Sequence, residues 1–301
     1  MDWSSILKRY IKIILGLIDI LCLGYIKNQV IIGLVYHDVT DLPCQMSSNT
    51  KTYTSTSTFG KHMSWISKYY NVISVTEIIK HQSDSRKSNL VLTFDDGYKS
   101  FKTNIFPVIN AFGFHGVCFI NGETSKEGIN SSALVSYLSR TKREVLDWKN
   151  SNPKYFETQL EGLSSGDVID LKKYQGEFMS EEDLMEIARS PLVQIGNHLF
   201  NHWYGPSLTE QELLDAIQLN STFLKQIGSL EQLLCWPHGV SRKEHSDLAR
   251  NQGMKVQFYG SQCKNKGIQV VNVCRVDMNE SMSNYLVFRG SLLLVRLRAD
   301  R

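Results

Sequence analysis

The chain lacks any Cys-x-x-Cys pair, any long basic run and any internal repeat or low-complexity tract. Its six cysteines, Cys22, Cys44, Cys118, Cys235, Cys263 and Cys274, lie far apart, and several sit in apolar strand-like runs such as Val117-Cys118-Phe119. They read as buried reduced thiols, which favours the cytoplasm, although an even count leaves disulfides formally open. Charge of one sign is also missing: 33 Lys and Arg against 30 Asp and Glu leave a net charge of +3. With no basic patch interleaved with aromatics, phosphate-backbone binding is not expected, and no nucleic-acid partner is assigned.

An uninterrupted apolar span is likewise absent. A spanning helix needs about 20 mostly apolar residues, whereas Ser4 to Tyr25 carries Lys8, Arg9, Lys12 and Asp19. The small-x-small site of a cleaved signal peptide is not well supplied by Leu21-Cys22-Leu23-Gly24-Tyr25. On a helix Lys8, Lys12 and Asp19 fall within about 40° of one another, leaving a wide apolar face. Three readings follow: attachment to a membrane surface, peripheral on the inner face, packing on the protein's own body, or, behind both, a signal anchor.

What is present is an alternation of strands and helices. Apolar runs begin at Val30, Val72, Leu90, Val117, Val193, Leu233, Lys255 and Val271, separated by segments of helical periodicity. Eight such runs predict an α/β fold, an irregular barrel of seven to eight parallel strands. The stretch from Thr50 to Thr58 reads as a loop, Thr76 as a helix cap, and Ser180-Glu181-Glu182-Asp183 as a capped helix start. Pro107 should break or kink the helix that follows Tyr98, and Gly113 should end it. Residues 1–27 are expected as an amphipathic helix and 28–301 as the barrel. A polar helical insertion, a lid or rim, is expected at about 123–178, broken at Asn152-Pro153 and Ser164-Ser165-Gly166.

The chemistry concentrates at predicted strand ends. Thr93-Phe94-Asp95-Asp96-Gly97-Tyr98 ends one apolar run, and Gly196-Asn197-His198-Leu199-Phe200-Asn201-His202 ends another. One carboxylate with His-x-x-x-His suffices for an open divalent metal site, leaving the second carboxylate for proton transfer. As neighbours in an extended segment the two aspartates point in different directions. Either motif alone could be a capping turn or a pair of solvated or core histidines. Both together, at the ends of parallel strands where barrel sites form, point to a metal-dependent hydrolase.

These motifs resemble the first two of the polysaccharide deacetylase family, also called the NodB-homology or carbohydrate esterase family 4 domain. The likeness extends from Val35-Tyr36-His37-Asp38-Val39 to Cys235-Trp236-Pro237-His238-Gly239, similar to the family's aromatic-Pro-x-Gly motif, and on to Arg275. The resemblance implies a divalent ion, Zn2+ with Co2+ or Ni2+ as alternatives, held by Asp96, His198 and His202. It also implies Asp95 as the base that removes acetyl groups from amino sugars. The expected partner is therefore an acetylated glycan or glycolipid precursor. A backbone N–H, that of His238 beside Pro237, is a candidate to hold the oxyanion.

Departures from the family pattern leave roles open. Many members use a late histidine as acid, but the last one here is His245, on a predicted helix, so His37 and His238 are the candidate acids. The motif before Pro237 lacks the arginine that tethers the base in some members. Arg275 could replace it or pair with Asp277. Leu199 stands where a hydroxyl residue often fixes the loop, and Trp203 and Tyr204 could stack on a sugar or pack at the rim. Besides N-deacetylation, two alternatives remain: an O-acetyl esterase or other amide hydrolase, and a degenerate, non-catalytic glycan-binding barrel.

Overall fold

Seven parallel strands close into a barrel. They are β1 (Ile32–Tyr36), β5 (Ser88–Phe94), β6 (Gly116–Ile120), β7 (Val193–Asn197), β8 (Leu233–Cys235), β9 (Val256–Tyr259) and β10 (Val271–Asp277). In this computed structural model, residues 3–21, 31–80, 87–141, 158–229, 232–261 and 271–299 are described. Closure is made by β1, which pairs with β10 on one side and β5 on the other, Gly33 facing Arg275 and Val91 across the two ladders. The eighth run is not a full stave. β4 (Tyr70–Val72) has three residues and pairs with the start of β5, while the rest of that edge belongs to β1. Cys22, Cys263, the Asn152-Pro153 break and the segment Leu23 to Tyr25 lie outside the described residues.

Both faces of each strand are buried, which is why the strands read as continuous apolar runs rather than as an alternation. Inside the barrel Val91, Val117, Phe119, Leu233, Val256 and Phe258 form one cluster. The outer face packs Leu90, Leu92, Phe94 and Ile120 against the helices. Along β5 the inward positions pass from Val91 through Thr93 to Asp95, so the interior turns polar at its C-terminal mouth.

Local expectations are met with instructive exceptions. Ser180 caps helix Glu181–Ala188 with a reciprocal Asp183 bond, and Gly113 ends helix Phe106–Phe112 at a left-handed φ of 65°. Pro107 neither breaks nor ends the helix. A π-helical turn at Phe101–Ile105 precedes it and places the proline in a first turn, where its missing N–H is tolerated. The cap of helix Val75–Ile79 is Ser74 rather than Thr76, because Glu77 completes a capping box with it. Within the expected Thr50–Thr58 loop, β3 (Tyr53–Thr54) pairs with β2 (Asp38–Val39), and a helix starts at Thr56.

The polar segment between β6 and β7 is a helical insertion. It contains helices Gly122–Glu127, Ser131–Thr141 and Ser165–Gln175, the latter two sharing a small core of Ala133, Leu134, Leu138, Leu171 and Tyr174. It is tied to the Asp95-Asp96 turn by Met179 N–H to the Gly97 carbonyl, 2.9 Å, and Lys99 N–H to Glu177, 2.8 Å.

The N-terminal helix Trp3–Leu21 packs on the C-terminal helix Tyr285–Ala299, with Gly16 and Asp19 buried. Among the described residues no helix is long and apolar enough to cross a membrane. Cys44, Cys118 and Cys235 are free thiols, but Cys274 is disulfide-bonded. The expectation of six reduced thiols is thereby corrected, since an apolar strand context buries a cysteine without deciding its oxidation state.

Candidate metal centre and active site

The turn after β5 sets the two aspartates apart, though not as extended neighbours. Asp95 continues the ladder, its N–H 3.0 Å from the Tyr36 carbonyl, whereas Asp96 adopts φ 70° and Gly97 φ 76°. The left-handed pair turns the second carboxylate out of line with the first. Leu199, His202 and His238 also have positive φ, at 58°, 51° and 59°. Such conformations cost about 1–3 kcal/mol each for residues with a Cβ and persist only where surroundings over-determine them. Four of the five non-glycine residues with positive φ among the described ones thus lie in or beside this cluster.

Asp96, His198 and His202 converge. Asp96 Oδ1 lies 3.2 Å from His202 Nε2 and 3.5 Å from His198 Nε2. That oxygen is buried and has no hydrogen-bond partner among the described residues. The other nitrogen of each imidazole is engaged. His198 Nδ1 donates to the Cys235 carbonyl at 2.9 Å, since a carbonyl can only accept, and His202 Nδ1 lies 2.7 Å from Ser132 Oγ. In neutral rings the His198 Nε2 lone pair therefore faces Asp96, the arrangement that orients a metal-binding histidine. The donor set fits a divalent cation: two imidazole nitrogens and one carboxylate oxygen with an unsatisfied lone pair.

A second grouping, Asp95, His198 and Cys235, is less suited to an ion because Asp95 is already engaged. Arg275 binds it through both oxygens, Nη1 to Oδ1 at 2.7 Å and Nη2 to Oδ2 at 2.8 Å, with both side chains 4% exposed. Of the two partners left open for Arg275, Asp95 is the one it clamps. The guanidinium crosses from β10 because Gly33 stands opposite: a Cβ there would come within 2.6 Å of the Arg275 side chain. Arg275 also donates to Thr93 Oγ1, 3.3 Å.

The electrostatics follow. Burial works to raise the Asp95 pKa, but Arg275, followed by His198, keeps it below the usual carboxylate value. For Asp96 burial is likewise opposed, by the charge of His202 and by the closeness of both imidazoles, and the carboxyl stays well below that value. Burial disfavours charge on His198, yet Cys235, Asp95 and Asp96 raise its pKa well above that of an ordinary imidazole. The field that would favour a proton at Nε2 would equally favour a cation. Burial, then the neighbouring His202, pushes His238 well below the ordinary value.

These groups line a cavity of about 750 Å³ at the mouth, together with His37, Tyr98, Ser132 and Arg140. His37, Asp95, Asp96, His198, His202, His238 and Arg275 all reach it. His245 does not; it is buried with Nδ1 on the Gly205 carbonyl at 3.0 Å. Trp203 packs against the apolar clusters beside the cavity, and Tyr204 lies 5.9 Å from the His238 ring. Neither lines the cavity.

Several groups that build the site were not legible as motifs. Three buried asparagines fix the histidine loop. Asn121 Nδ2 donates to the carbonyls of His198 and Leu199 at 2.6 and 2.9 Å, Asn197 Oδ1 accepts from Leu199 N–H at 2.8 Å, and Asn220 holds Asn197 at 2.9 Å. This network supplies the loop restraint that Leu199, itself fully buried, does not. Ser132 comes from the insertion, 70 residues before His202. Only an asparagine at the end of each of two strands, Asn121 just after β6 and Asn197 closing β7, hinted at the network.

A closed parallel barrel with its polar residues gathered at the C-terminal mouth is the architecture of a barrel enzyme. Residues 82–257 match the polysaccharide deacetylase family, and with more than half of the chain covered the protein belongs to it. A poly-β-1,6-N-acetyl-D-glucosamine N-deacetylase from Escherichia coli K12 is 23% identical over 196 residues, 64% of this chain and 24% of that protein. The chain thus spans about a quarter of the length of the curated relatives it matches. Among solved structures, a de-N-acetylase from Aggregatibacter actinomycetemcomitans superposes with TM-score 0.59 at 17% identity, covering 87% of this chain and 99% of the other. IcaB from Ammonifex degensii gives 0.60 at 15%, covering 87% and 97%. At these identities the superpositions show a shared fold.

Proposed function

We propose that the protein is a metal-dependent hydrolase that removes N-acetyl groups from amino sugars of a glycan or glycolipid precursor. The observation that carries this reading is the buried Asp96 oxygen without a donor, set between two imidazole nitrogens whose rings are held from behind. A divalent cation held by Asp96, His198 and His202 would supply Lewis acidity toward water and an acetyl carbonyl. Zinc is the expected ion, with cobalt or nickel as substitutes, because imidazole and carboxylate donors suit these borderline cations.

In this reading Asp95 accepts the proton of the attacking water. Arg275, bound to both carboxylate oxygens, keeps the group ionised. The leaving amine needs a proton, and of the two candidate donors His37 is favoured, because the low pKa of His238 leaves that ring neutral near pH 7. The cavity, wide enough for a sugar residue, is closed on one side by Ser132, Ser136 and Arg140 of the insertion. The substrate named for the Escherichia coli relative, poly-N-acetylglucosamine, supports an acetylated amino-sugar polymer as the substrate class.

The test is acetate release. Purified protein stripped with a chelator and reloaded with zinc, cobalt or nickel should deacetylate N-acetylglucosamine oligomers, and the stripped form should not. Faster turnover of O-acetylated than of N-acetylated sugars would favour the esterase reading. Glycan binding without turnover, unchanged in Asp95→Asn, would favour a non-catalytic barrel.

A further inference from the structure

The N-terminal helix is mounted with Gly16 and Asp19 inward. Asp19 and Arg289 form a buried ion pair, Oδ2 to Nε and Nη2 both at 2.6 Å, with the Arg289 side chain only 2% exposed. Gly16 and Gly290 let the two backbones touch: a Cβ on Gly16 would come within 2.2 Å of the Leu286 carbonyl oxygen, and one on Gly290 within 1.8 Å of that of Lys12. The rotation of the helix is therefore set by a close crossing and a buried charge pair, neither of which tolerates turning.

What this mounting turns outward is apolar. Trp3, Leu7, Tyr10, Ile14, Leu17 and Leu21 are all exposed, Trp3 and Leu21 by more than 80%. Ile11 and Ile18 widen the strip, giving an arc of about 120° at 100° per residue along about 28 Å of helix. A two-stranded coiled coil would want a narrow seam flanked by charge. Here the flanks are isoleucine, and exposed Lys8 and Arg9 stand about 60° and 80° beyond the two edges of the strip. Two of the strip residues are Trp and Tyr, the side chains that favour a membrane–water boundary.

We infer that this face docks on the surface of an anionic phospholipid bilayer. Apolar area enters the headgroup boundary while Lys8 and Arg9 meet lipid phosphate. The crossing of Gly16 over Leu286 puts the C-terminal end of the helix near the start of Tyr285–Ala299. That start follows β10 on the same side of the barrel as Asp277, Met278 and Asn279 of the cavity wall. This inference does not depend on the deacetylase chemistry.

The experiment is co-sedimentation of the full chain with vesicles of phosphatidylcholine alone and of phosphatidylcholine mixed with phosphatidylglycerol. The protein is expected to partition onto the mixed vesicles and to be released in part by salt. Leu7→Glu/Ile14→Glu should lower partition by roughly tenfold or more. Tyr10→Lys/Leu17→Lys should lower it too, which separates loss of apolar contact from charge repulsion. Both variants should keep the parent's unfolding midpoint, because the changed positions face away from Arg289. Absence of partition on the mixed vesicles, partition no stronger there than on phosphatidylcholine alone, or partition undiminished in both variants, overturns the inference. So does a lipid-free dimer that these substitutions dissociate while vesicles capture nothing.

Discussion

Replacing Arg275 with methionine keeps an apolar stem of similar reach and removes the guanidinium that holds both oxygens of Asp95. Both groups are almost fully buried. Loss of one partner leaves a carboxylate without compensation, a change that typically costs about 3–5 kcal/mol. Part of that cost is avoided if Asp95 takes up a proton. Burial, no longer opposed by Arg275, then governs the carboxyl, so its pKa must rise. The ionised fraction at a given pH falls, and the acid limb of the pH–rate profile for acetate release must move to higher pH. Arg275→Lys should fall between, keeping a charge but not the two-pronged contact. Urea unfolding of the parent, both single variants and Arg275→Met/Asp95→Asn closes the cycle, and the double variant should be more stable than Arg275→Met because no charge is stranded. A loss below about 1 kcal/mol in Arg275→Met, with the acid limb unmoved, would refute the view that this pair holds the base.

Three further outcomes are expected. Removing a resident cation with a chelator should lower the unfolding free energy, by about 2.7 kcal/mol relative to metal at a hundredfold excess over Kd, and Asp96→Asn should abolish that difference in calorimetry. Ser132→Ala frees the back of the His202 ring and should weaken zinc binding by about 10–100-fold in competition titrations, with folding unchanged. His62 offers a pH test away from the site. Burial pushes its pKa down to about 4, between the Tyr36 hydroxyl at 3.0 Å and the Met282 carbonyl at 2.9 Å. An unfolded imidazole titrates near about 6.5, so in that window the unfolded chain binds more protons and stability must rise with pH. Unfolding free energy should fall by roughly 2 kcal/mol from about pH 7 to about pH 5, and His62→Phe should remove that component; an equal slope in both proteins counts against it.

Much of this protein was legible without coordinates. Strand runs buried on both faces announce a parallel barrel, and Asp95-Asp96 and His198-x-x-x-His202 lie where such barrels keep their chemistry. Element type follows from hydrophobic period and from caps such as Ser180 with Asp183, which act within four residues. The role of β4 was not legible, because the apolar run beginning at Val72 looks like a stave until β4 (Tyr70–Val72) and β1 are seen to share one edge of β5. Nor was the choice of Arg275 partner, since Asp277 is two residues away in sequence and Asp95 is 180.

Local sequence determined the elements, the ligand-type residues and the amphipathic character of the first helix, all of which depend on neighbours along the chain. Tertiary structure alone decided that Arg275 crosses over Gly33 to Asp95, that Ser132 of the insertion backs His202, and that the helix Trp3–Leu21 turns its charged Asp19 inward. Each of these is a contact between groups 70 or more residues apart. Such contacts are selected by the geometry of barrel closure and the need to satisfy buried charge, which no periodicity records.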